Sequence, residues 1–345
     1  MSDRTPAISV VMTTHNSAFS VRDAVLSIAE QTFRDIEIIV VDDASTDETP
    51  DILREIASSD GRVRILVMAQ NVGAFAAANA GLADARAPLV ARMDSDDISL
   101  AHRLEVQKAY MDANPNCILA SSGFHEIDHA GQTLRTVFRP RDAFQTEWIG
   151  RFHYPLRHPA TIFRRLSPEG EPLRYSEAAR VSMDYEFYAR HRVLGDVVSL
   201  AEPLLSYRVH DGSITGTQRT QQLSVASEIA LGIQSDLPAH LQAELRPFNR
   251  AFLFGEPVEP KDLFEAMRAV VRHDSARHPA RQAWMMRQSC TLILMAMSRI
   301  GLSRRNRLMA FATYGSDFLP SLAGKTLESR GIRFGAGSMS EMHAG

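Results

Sequence analysis

The composition of this 345-residue chain excludes several classes of protein. Its 45% hydrophobic and 23% charged residues are typical of a folded globular protein rather than a disordered one. Two cysteines, Cys117 and Cys290, are too few for a disulfide framework or a structural zinc site and fit a reducing compartment, the cytoplasm. The N-terminus lacks a secretory signal pattern, and no apolar stretch is long enough to span a membrane.

The net charge of −3 conceals two regions of opposite sign. Residues 1–130 hold 10 basic and 20 acidic side chains, which argues against nucleic acid as a partner. Residues 271–310 hold 8 arginines and one acid, Asp274. Because basic segments with interleaved apolar residues can contact anionic lipid, a peripheral position at the inner membrane is one open alternative for the tail.

The first hundred residues alternate apolar strand patterns with helix patterns. We predict strands at 8–13, 36–41, 63–67 and from Leu89, and helices after Ser20, from Thr49 and over 75–85. Ser20 is a residue typical of helix caps, and Pro50 suits a first helical turn. Near-continuous apolar strands separated by helices indicate a mostly parallel sheet with helices on both faces.

The pattern changes after residue 97. We predict a helix at 100–111, a strand at 117–121, a hairpin of 124–128 and 133–138, a helix at 184–194, strands at 197–200 and 204–209, and helices at 223–235, 261–273, 282–300 and 305–314. Residues 139–180 are rich in proline, arginine and aromatic residues with weak periodicity, which is typical of binding loops rather than core.

Polar residues follow three of the predicted parallel strands. They are Thr13, Asp42-Asp43 and Asp94-Ser95-Asp96. Taken singly, an acidic turn is usually a solvated loop with a helix cap. The carboxyl ends of the strands in an open α/β sheet share one rim, where ligands bind, and carboxylates are hard ligands suited to Mg²⁺ or Mn²⁺. The coincidence therefore predicts a metal and phosphate site at this rim.

An ordered set of motifs carries a resemblance to a known family. The motifs are Ile8-Ser9-Val10-Val11-Met12-Thr13-Thr14-His15-Asn16, Gln31-Thr32-Phe33, Val41-Asp42-Asp43-Ala44-Ser45-Thr46-Asp47, Asn71-Val72-Gly73 and Met93-Asp94-Ser95-Asp96-Asp97. Over about residues 7–215 the chain resembles the family 2 glycosyltransferases of GT-A fold. The resemblance implies a nucleotide-sugar donor, with Thr13 and Asp43 near the nucleobase and Asp94 near the ribose. It also implies Asp96 on the Mn²⁺ or Mg²⁺ ion that bridges the diphosphate.

Two later motifs extend the resemblance. Ser182-Met183-Asp184-Tyr185-Glu186-Phe187 is similar to the family's acidic segment, which implies that Asp184 is the general base of an inverting enzyme. Tyr207-Arg208-Val209-His210 is similar to the family's Tyr-Arg-x-His segment, which implies that Arg208 binds the donor and His210 approaches the diphosphate or the metal. Without the resemblance, a carboxylate opening a helix is more often a cap, and a histidine after a strand is an ordinary loop residue.

The chain also departs from the family pattern. Met183, Ala78 and Ala101 stand where many members have glutamate, arginine and proline, which leaves the sugar specificity and the fine placement of the acceptor base open. Trp148 and His158 fall in the acceptor-side region by the resemblance, although loop packing explains each of them equally well.

The end of the strand pattern near Thr220, followed by helix patterns alone, predicts a two-part chain. A GT-A-type, Rossmann-like, mostly parallel sheet flanked by helices would occupy 1–220, with a nucleotide-binding half at 1–115 and an acceptor-side half at 116–220. A helical extension would occupy 221–345. The implied activity is inverting transfer of a sugar from a nucleotide diphosphate donor, UDP-linked, to a hydroxyl of a glycan or lipid-linked acceptor in bacterial surface or exopolysaccharide synthesis.

Two other functions remain alternatives at this point. A nucleotidyltransferase on a similar sheet usually has a glycine-rich, basic loop after the first strand, and residues 14–18 contain neither glycine nor lysine. A non-catalytic nucleotide-sugar-binding protein would have little reason to keep Asp184 together with metal ligands.

The tail has three interpretations. Its apolar runs at 284–286 and 292–297 precede Arg299, Arg304, Arg305 and Arg307. The segment could lie on a membrane surface, pack on the catalytic domain with its arginines in water, or form a homodimer contact.

Overall fold

The computed structural model describes residues 4–138, 141–176, 181–209 and 219–318. Its first part comprises β1 (Ile8–Thr14), α1 (Val21–Ala29), β2 (Ile36–Asp42), α2 (Thr49–Ser59), β3 (Val63–Val67), α3 (Ala74–Asp84) and β4 (Leu89–Asp94). The four strands are parallel and lie in the order β3-β2-β1-β4. β1 and β2 are buried along their whole length, as expected of strands covered by helices on both faces. The predicted α/β class is confirmed.

The register of these strands decides which polar residues share the carboxyl rim. Thr13 pairs with Val41 on one side and with Asp94 on the other, and Thr14 pairs with Asp42. The three strand ends therefore coincide, so the acids that follow β2 and β4 flank the end of β1 as predicted.

The second part of the sheet is mixed. It comprises β5 (Ile98–Ser99), α4 (Arg103–Ala113), β6 (Cys117–Ile127), β7 (Thr133–Val137), α5 (Ala143–Gly150), β8 (Ile162–Arg164), α6 (Met183–His191) and β9 (Asp196–Arg208). β8 runs antiparallel to both β4 and β6, and the sheet continues in the order β4-β8-β6-β9-β5. β7 pairs with β6 in the predicted hairpin, whose turn contains Gly131 at φ +82°.

The strands predicted at 117–121 and 124–128 are one strand, β6, and those predicted at 197–200 and 204–209 are also one strand, β9. Their mutual pairing shifts register around Gly123 and Pro203, where turn-like residues suggested a break. A Cβ on Gly123 would lie 3.1 to 3.3 Å from three carbonyl oxygens, so β6 needs glycine where it bends. The bends allow both strands to stay paired around the curve of the sheet.

Two further local predictions are wrong, and the cap predicted at Ser20 is right in its position only. Residues 139–180 were predicted to be loops, but they also contain α5 and β8. Both elements are too short for their apolar residues to form a recognisable periodic pattern. α4 begins at Arg103 rather than at residue 100, since residues 98–99 pair with β9 as β5. Ser20 precedes α1 without any hydrogen bond from its side chain to the helix.

The remaining elements are helices, namely α7 (Arg219–Gln234), α8 (Ala239–Phe254), α9 (Pro260–Arg277), α10 (Gln282–Arg299) and α11 (Arg304–Tyr314). The chain divides into two compact units after Ile233. In the second unit α8, α9 and α10 pack against one another, and Met285, Ile293 and Met297 of α10 are buried. α8 was not predicted, because Pro247 interrupts its pattern. Within the described ranges, no helix has the length and apolar character needed to cross a membrane.

Candidate active site

An acidic turn closes the carboxyl end of β4. One carboxylate oxygen from each of Asp94, Asp96 and Asp97 lies within 4.8 Å of the other two. Ser95, between them, contacts Ser17 of the loop after β1 through their hydroxyl oxygens, which are 3.0 Å apart. The turn is thus held against the end of β1, and it presents several carboxylates in one place.

The acidic turn fits a divalent cation. Asp97 accepts a hydrogen bond from the Arg208 backbone N–H on Oδ1 at 2.8 Å, but its Oδ2 is buried and has no hydrogen-bond partner among the described residues. Burial, followed by the charges of Asp96 and Asp94, raises the pKa of Asp97 well above its ordinary value. Enclosed carboxylates that repel each other form the oxygen-rich donor set that Mg²⁺ and Mn²⁺ prefer.

A buried arginine joins β1 to the acidic turn. Arg92 donates from Nη1 to the Val11 carbonyl at 2.8 Å, and from Nη2 to Asp94 Oδ1 at 3.1 Å and Thr13 Oγ1 at 3.4 Å. Burial raises the pKa of Asp94 to about 6, although the charge of Arg92 lowers it, and the neighbouring Asp96 raises it further. Thr13 and Asp94, both predicted to contact the donor, are therefore fixed by the same buried cation.

Asp43 organises the loops around the rim. Its two carboxylate oxygens accept the backbone N–H groups of Val72 and Gly73, each at 2.8 Å, and its carbonyl accepts from His15 Nδ1 at 2.8 Å. Gly73 has φ +90°, a conformation that favours glycine. The three contacts tie together the loops after β1, β2 and β3, while the nucleobase contact of Asp43 stays a prediction.

Asp184 lies in the first turn of α6, close enough to Asp94 for its charge to raise the pKa of that carboxyl group. Its Oδ1 accepts the backbone N–H of Tyr185 at 2.8 Å. The cap position belongs to Ser182, whose φ is +55°, so Asp184 is not the helix cap. Burial raises the pKa of Asp184 above its ordinary value, which makes this carboxylate a better proton acceptor.

The side chain of Arg208 is occupied by backbone carbonyls. It donates to the carbonyls of Asp96 at 2.8 Å, Asp128 at 2.9 Å and His129 at 2.6 Å. This geometry makes Arg208 a support of the acidic turn, and its contact with the donor stays a prediction. His210, the other residue predicted from this motif, lies outside the described residues.

The sequence did not assign Arg157 or Tyr175 to the site. Tyr175 donates to Nε2 of His158 at 2.9 Å, and Nε of Arg92 approaches the same nitrogen at 3.4 Å. Burial and then the charge of Arg92 hold the pKa of His158 well below its ordinary value, so its neutral ring accepts hydrogen bonds from Tyr175 and Arg92. The only sequence signal was the local enrichment in arginine and aromatic residues.

Trp148, by contrast, packs in the core. Its side chain is fully buried, and its ring lies 5.1 Å from that of Phe152 between centroids. Trp148 therefore has a packing role, as one of its two sequence interpretations had it, although it lies in the helix α5 rather than in a loop.

The parallel β3-β2-β1-β4 sheet with an acidic turn at the end of β4 is the fold of a GT-A-type glycosyltransferase. Among solved structures, TarS of S. aureus in complex with UDP-GlcNAc matches 90% of this chain and 92% of that chain, with a TM-score of 0.58 and 18% sequence identity. TarS in complex with UDP gives a TM-score of 0.55 at 17% identity, with 90% of this chain and 91% of that chain covered. At these identities the likeness concerns the fold.

Sequence comparison identifies the family. The sequence model of glycosyl transferase family 2 matches residues 9–169. An uncharacterized glycosyltransferase of Methanocaldococcus jannaschii is 31% identical over 212 residues, which cover 59% of this chain and 71% of that protein. The chain belongs to glycosyl transferase family 2 and is a glycosyltransferase, so the nucleotidyltransferase and non-catalytic alternatives are set aside.

Two further relatives have more specific names. The succinoglycan biosynthesis protein ExoO of Rhizobium meliloti is 29% identical over 233 residues, which cover 64% of this chain and 66% of that protein. The putative teichuronic acid biosynthesis glycosyltransferase TuaG of Bacillus subtilis is 33% identical over 134 residues, which cover 39% of this chain and 53% of that protein.

Proposed function

We propose that the protein is an inverting glycosyltransferase that moves a sugar from a UDP-linked donor to a hydroxyl group of a glycan or lipid-linked acceptor in surface polysaccharide synthesis. The observation that carries the proposal is the cluster of Asp94, Asp96 and Asp97 carboxylates at the carboxyl end of β4. Asp184 of α6 is close enough for its charge to raise the pKa of Asp94. TarS, whose fold is similar, was crystallised with UDP-GlcNAc, and ExoO and TuaG are named for polysaccharide synthesis.

Asp184 acts as the general base in this proposal. Its carboxylate takes the acceptor proton while the acceptor oxygen attacks the anomeric carbon, and the bond from that carbon to the diphosphate oxygen breaks. A single displacement of this kind inverts the anomeric configuration. Because burial raises its pKa, Asp184 holds the transferred proton better than an exposed aspartate would.

The donor is held at the rim of the sheet. Thr13 and Asp43 lie at the nucleobase and Asp94 at the ribose, and Arg208 supports the turn beneath the diphosphate. Asp96 and Asp97, with His210 as the further predicted ligand, would hold the Mn²⁺ or Mg²⁺ ion. The chemistry that such an ion supplies is neutralisation of the charge on the departing diphosphate.

A donor panel tests the proposal. The protein is incubated with Mn²⁺ and a series of nucleotide sugars, and release of the nucleoside diphosphate is recorded with and without glycan acceptors. We expect release from a UDP-sugar, reduced about 10²- to 10⁴-fold in Asp184→Asn because the proton loses its acceptor. We expect Asp96→Ala to lose both turnover and metal-dependent binding of UDP.

The exposed Asp112 near the end of α4 provides a matched control, since Asp112→Asn makes the same chemical change where the chain enters β6, away from the carboxyl ends of the strands. Its activity should equal that of the wild type. Full activity of Asp96→Ala in the presence of metal would contradict the site assignment, and full activity of Asp184→Asn would contradict the assignment of the base.

A further inference from the structure

Arg157 has an unusual environment beside the acidic turn. The central carbon of its guanidinium group lies 4.4 Å from the ring centroid of Phe124 on β6 and 4.3 Å from that of Tyr207 on β9. The two rings are 6.0 Å apart at an angle of 75°, so they form a corner that receives the cation. Cation–π contacts on two sides hold the planar group in one place.

The backbone of Arg157 is held as firmly as its side chain. Its N–H donates to Ser121 Oγ at 3.2 Å, and the same hydroxyl donates back to the Arg157 carbonyl at 3.0 Å. Ser121 lies on β6, so both ends of the arginine are anchored to the sheet rather than to a loop. A residue fixed in this way is preorganised for a ligand.

The hydrogen-bonding capacity of Arg157 is unused. Its Nε is buried and has no partner among the described residues, and no described acceptor takes a hydrogen bond from its Nη atoms. A buried guanidinium N–H without an acceptor costs free energy unless a ligand supplies one. The rings of Phe124 and Tyr207, here called the aromatic cage, fix the position of the guanidinium group and leave its N–H donors available to a ligand.

The surroundings indicate which ligand fits. Tyr207 immediately precedes Arg208, whose backbone N–H binds Asp97, so Arg157 stacks next to the acidic turn. The charge of Arg157 is close enough to lower the pKa of both Asp97 and Asp184, yet it pairs with neither. Arg157 Nε and Asp97 Oδ2 are both buried and lack a hydrogen-bond partner among the described residues. A divalent cation held by Asp97 and a phosphate group bound by Arg157 would satisfy the two side chains together.

We infer that Arg157 is a ligand-binding residue of the reaction, donating hydrogen bonds to the terminal phosphate of the diphosphate leaving group. The inference rests on the proposed function and adds a residue to it. A fixed arginine at this position compensates the negative charge that grows on the diphosphate as the sugar departs. Because the aromatic cage already holds the guanidinium group in place, the group does not need to move as charge develops on the diphosphate.

Calorimetric titration of UDP and UMP in the presence of Mn²⁺ tests the inference, because UMP lacks the terminal phosphate. Arg157→Met should weaken UDP binding about 10- to 100-fold, the loss expected for charge-assisted hydrogen bonds, and should change UMP binding less than about threefold. Arg157→Lys keeps the charge but lacks the planar guanidinium group. Its affinity for UDP should lie between those of the wild type and Arg157→Met. The exposed Arg174 provides the control, since Arg174→Met should bind both nucleotides as the wild type does.

Other outcomes separate the two proposals. If the wild type does not bind UDP with Mn²⁺, the proposed function fails. If it does, unchanged UDP affinity in Arg157→Met, or equal losses for UDP and UMP, overturns this inference alone. A loss confined to the KM for the acceptor also overturns it, because Arg157 would then bind the acceptor. Thermal unfolding of each variant checks the fold, and Arg157→Lys gives the answer if Arg157→Met does not fold.

Discussion

At the scale of single residues, Arg92 is the centre of the site. It is a fully buried cation in β4, and its hydrogen bonds reach the backbone of β1, the Thr13 hydroxyl and the Asp94 carboxylate. A buried charge is tolerable only where it is paired and hydrogen-bonded. The arginine therefore fixes the rim of the sheet and offsets part of the repulsion in the acidic turn.

Replacing Arg92 with methionine tests this role. We expect Arg92→Met to lower the free energy of unfolding by about 3 kcal/mol, since Asp94 and the Val11 carbonyl lose their donor in an enclosed place. Urea denaturation measures the change. Arg54→Met, at an exposed ion pair of α2, is the control and should unfold as the wild type does. An equal effect of both substitutions would contradict a special role for Arg92.

Residue roles were predictable from the sequence to different degrees. Asp94, Asp96 and Asp184 could be proposed from the sequence because acids stand out at the end of an apolar strand or within a family motif, and their roles stay predictions. Arg157 could not be found, because its role comes from two aromatic rings on β6 and β9 that are distant in the chain. Such a cage exists only after the strands have paired.

At the scale of elements, an ion-pair network around the buried Glu37 stabilises the amino-terminal end of β2, opposite the rim that carries the acidic turn. Glu37 on β2 accepts from Ser9 Oγ of β1 at 2.7 Å, from Arg64 of β3 at 3.0 Å, and from the side-chain Nε and backbone N–H of Arg86, each at 2.9 Å. Burial raises the pKa of Glu37, but the hydrogen bonds from Ser9 and Arg86 and the charge of Arg86 outweigh it, so the pKa lies below its ordinary value. The network locks three strands in register.

The lowered pKa predicts a pH dependence of stability. The network contributes fully above the pKa of glutamate in the unfolded chain, about 4.3, and its contribution is lost as the pH falls through the lower pKa of the folded state. Glu37→Gln should therefore lower the free energy of unfolding by about 3 kcal/mol at pH 7 and flatten its fall below about pH 4.

Urea denaturation of both proteins between neutral and acidic pH measures this difference. Glu30→Gln, at an exposed position after α1, is the control and should follow the wild-type profile. Parallel pH profiles of the wild type and Glu37→Gln would contradict the assignment.

Elements differ in how much of them the sequence predicts. β1 to β4 were located almost to the residue, because each is an apolar run that ends in turn chemistry. β6 and β9 were each divided in two, because the residues that allow a strand to bend are those that usually end one. Only the pairing of β6 with β9 distinguishes a bend from a turn.

At the scale of the whole molecule, the sequence asymmetry in charge separates two different units. In the first unit, the carboxylates of Asp94, Asp96 and Asp97 lie together at the rim that the proposal assigns to the metal and donor. The second unit is helical, and α10 packs with α8 and α9. Of the apolar residues that suggested a membrane contact, Met285, Leu292, Ile293, Ala296 and Met297 are buried, whereas Trp284, Met286, Leu294 and Met295 are half-buried. Arg299, Arg304 and Arg305 are exposed, and contact of this segment with a membrane or with a second copy of the chain stays a prediction.

Hydrogen exchange of the backbone amides, measured with and without Mn²⁺ and UDP, tests whether the donor binds to the first unit and not to the helical unit. Ligand that binds only the folded rim should slow exchange by up to about 100-fold at 100 times its Kd, in residues 43–49, 71–74 and 95–99. The helices α8 to α10 should exchange at unchanged rates. Protection confined to the helical unit would contradict the placement of the donor site.

The sequence by itself determined the α/β class, the family and the acids at the strand ends, because these depend on local apolar runs and on ordered motifs. The tertiary structure alone decided that Asp184 approaches the acidic turn, that Arg208 supports that turn through backbone carbonyls, and that Arg157 sits in an aromatic corner. These contacts join residues that are between 33 and 112 positions apart in the chain. Pattern reasoning cannot supply them, since only strand register and burial fix which distant side chains meet.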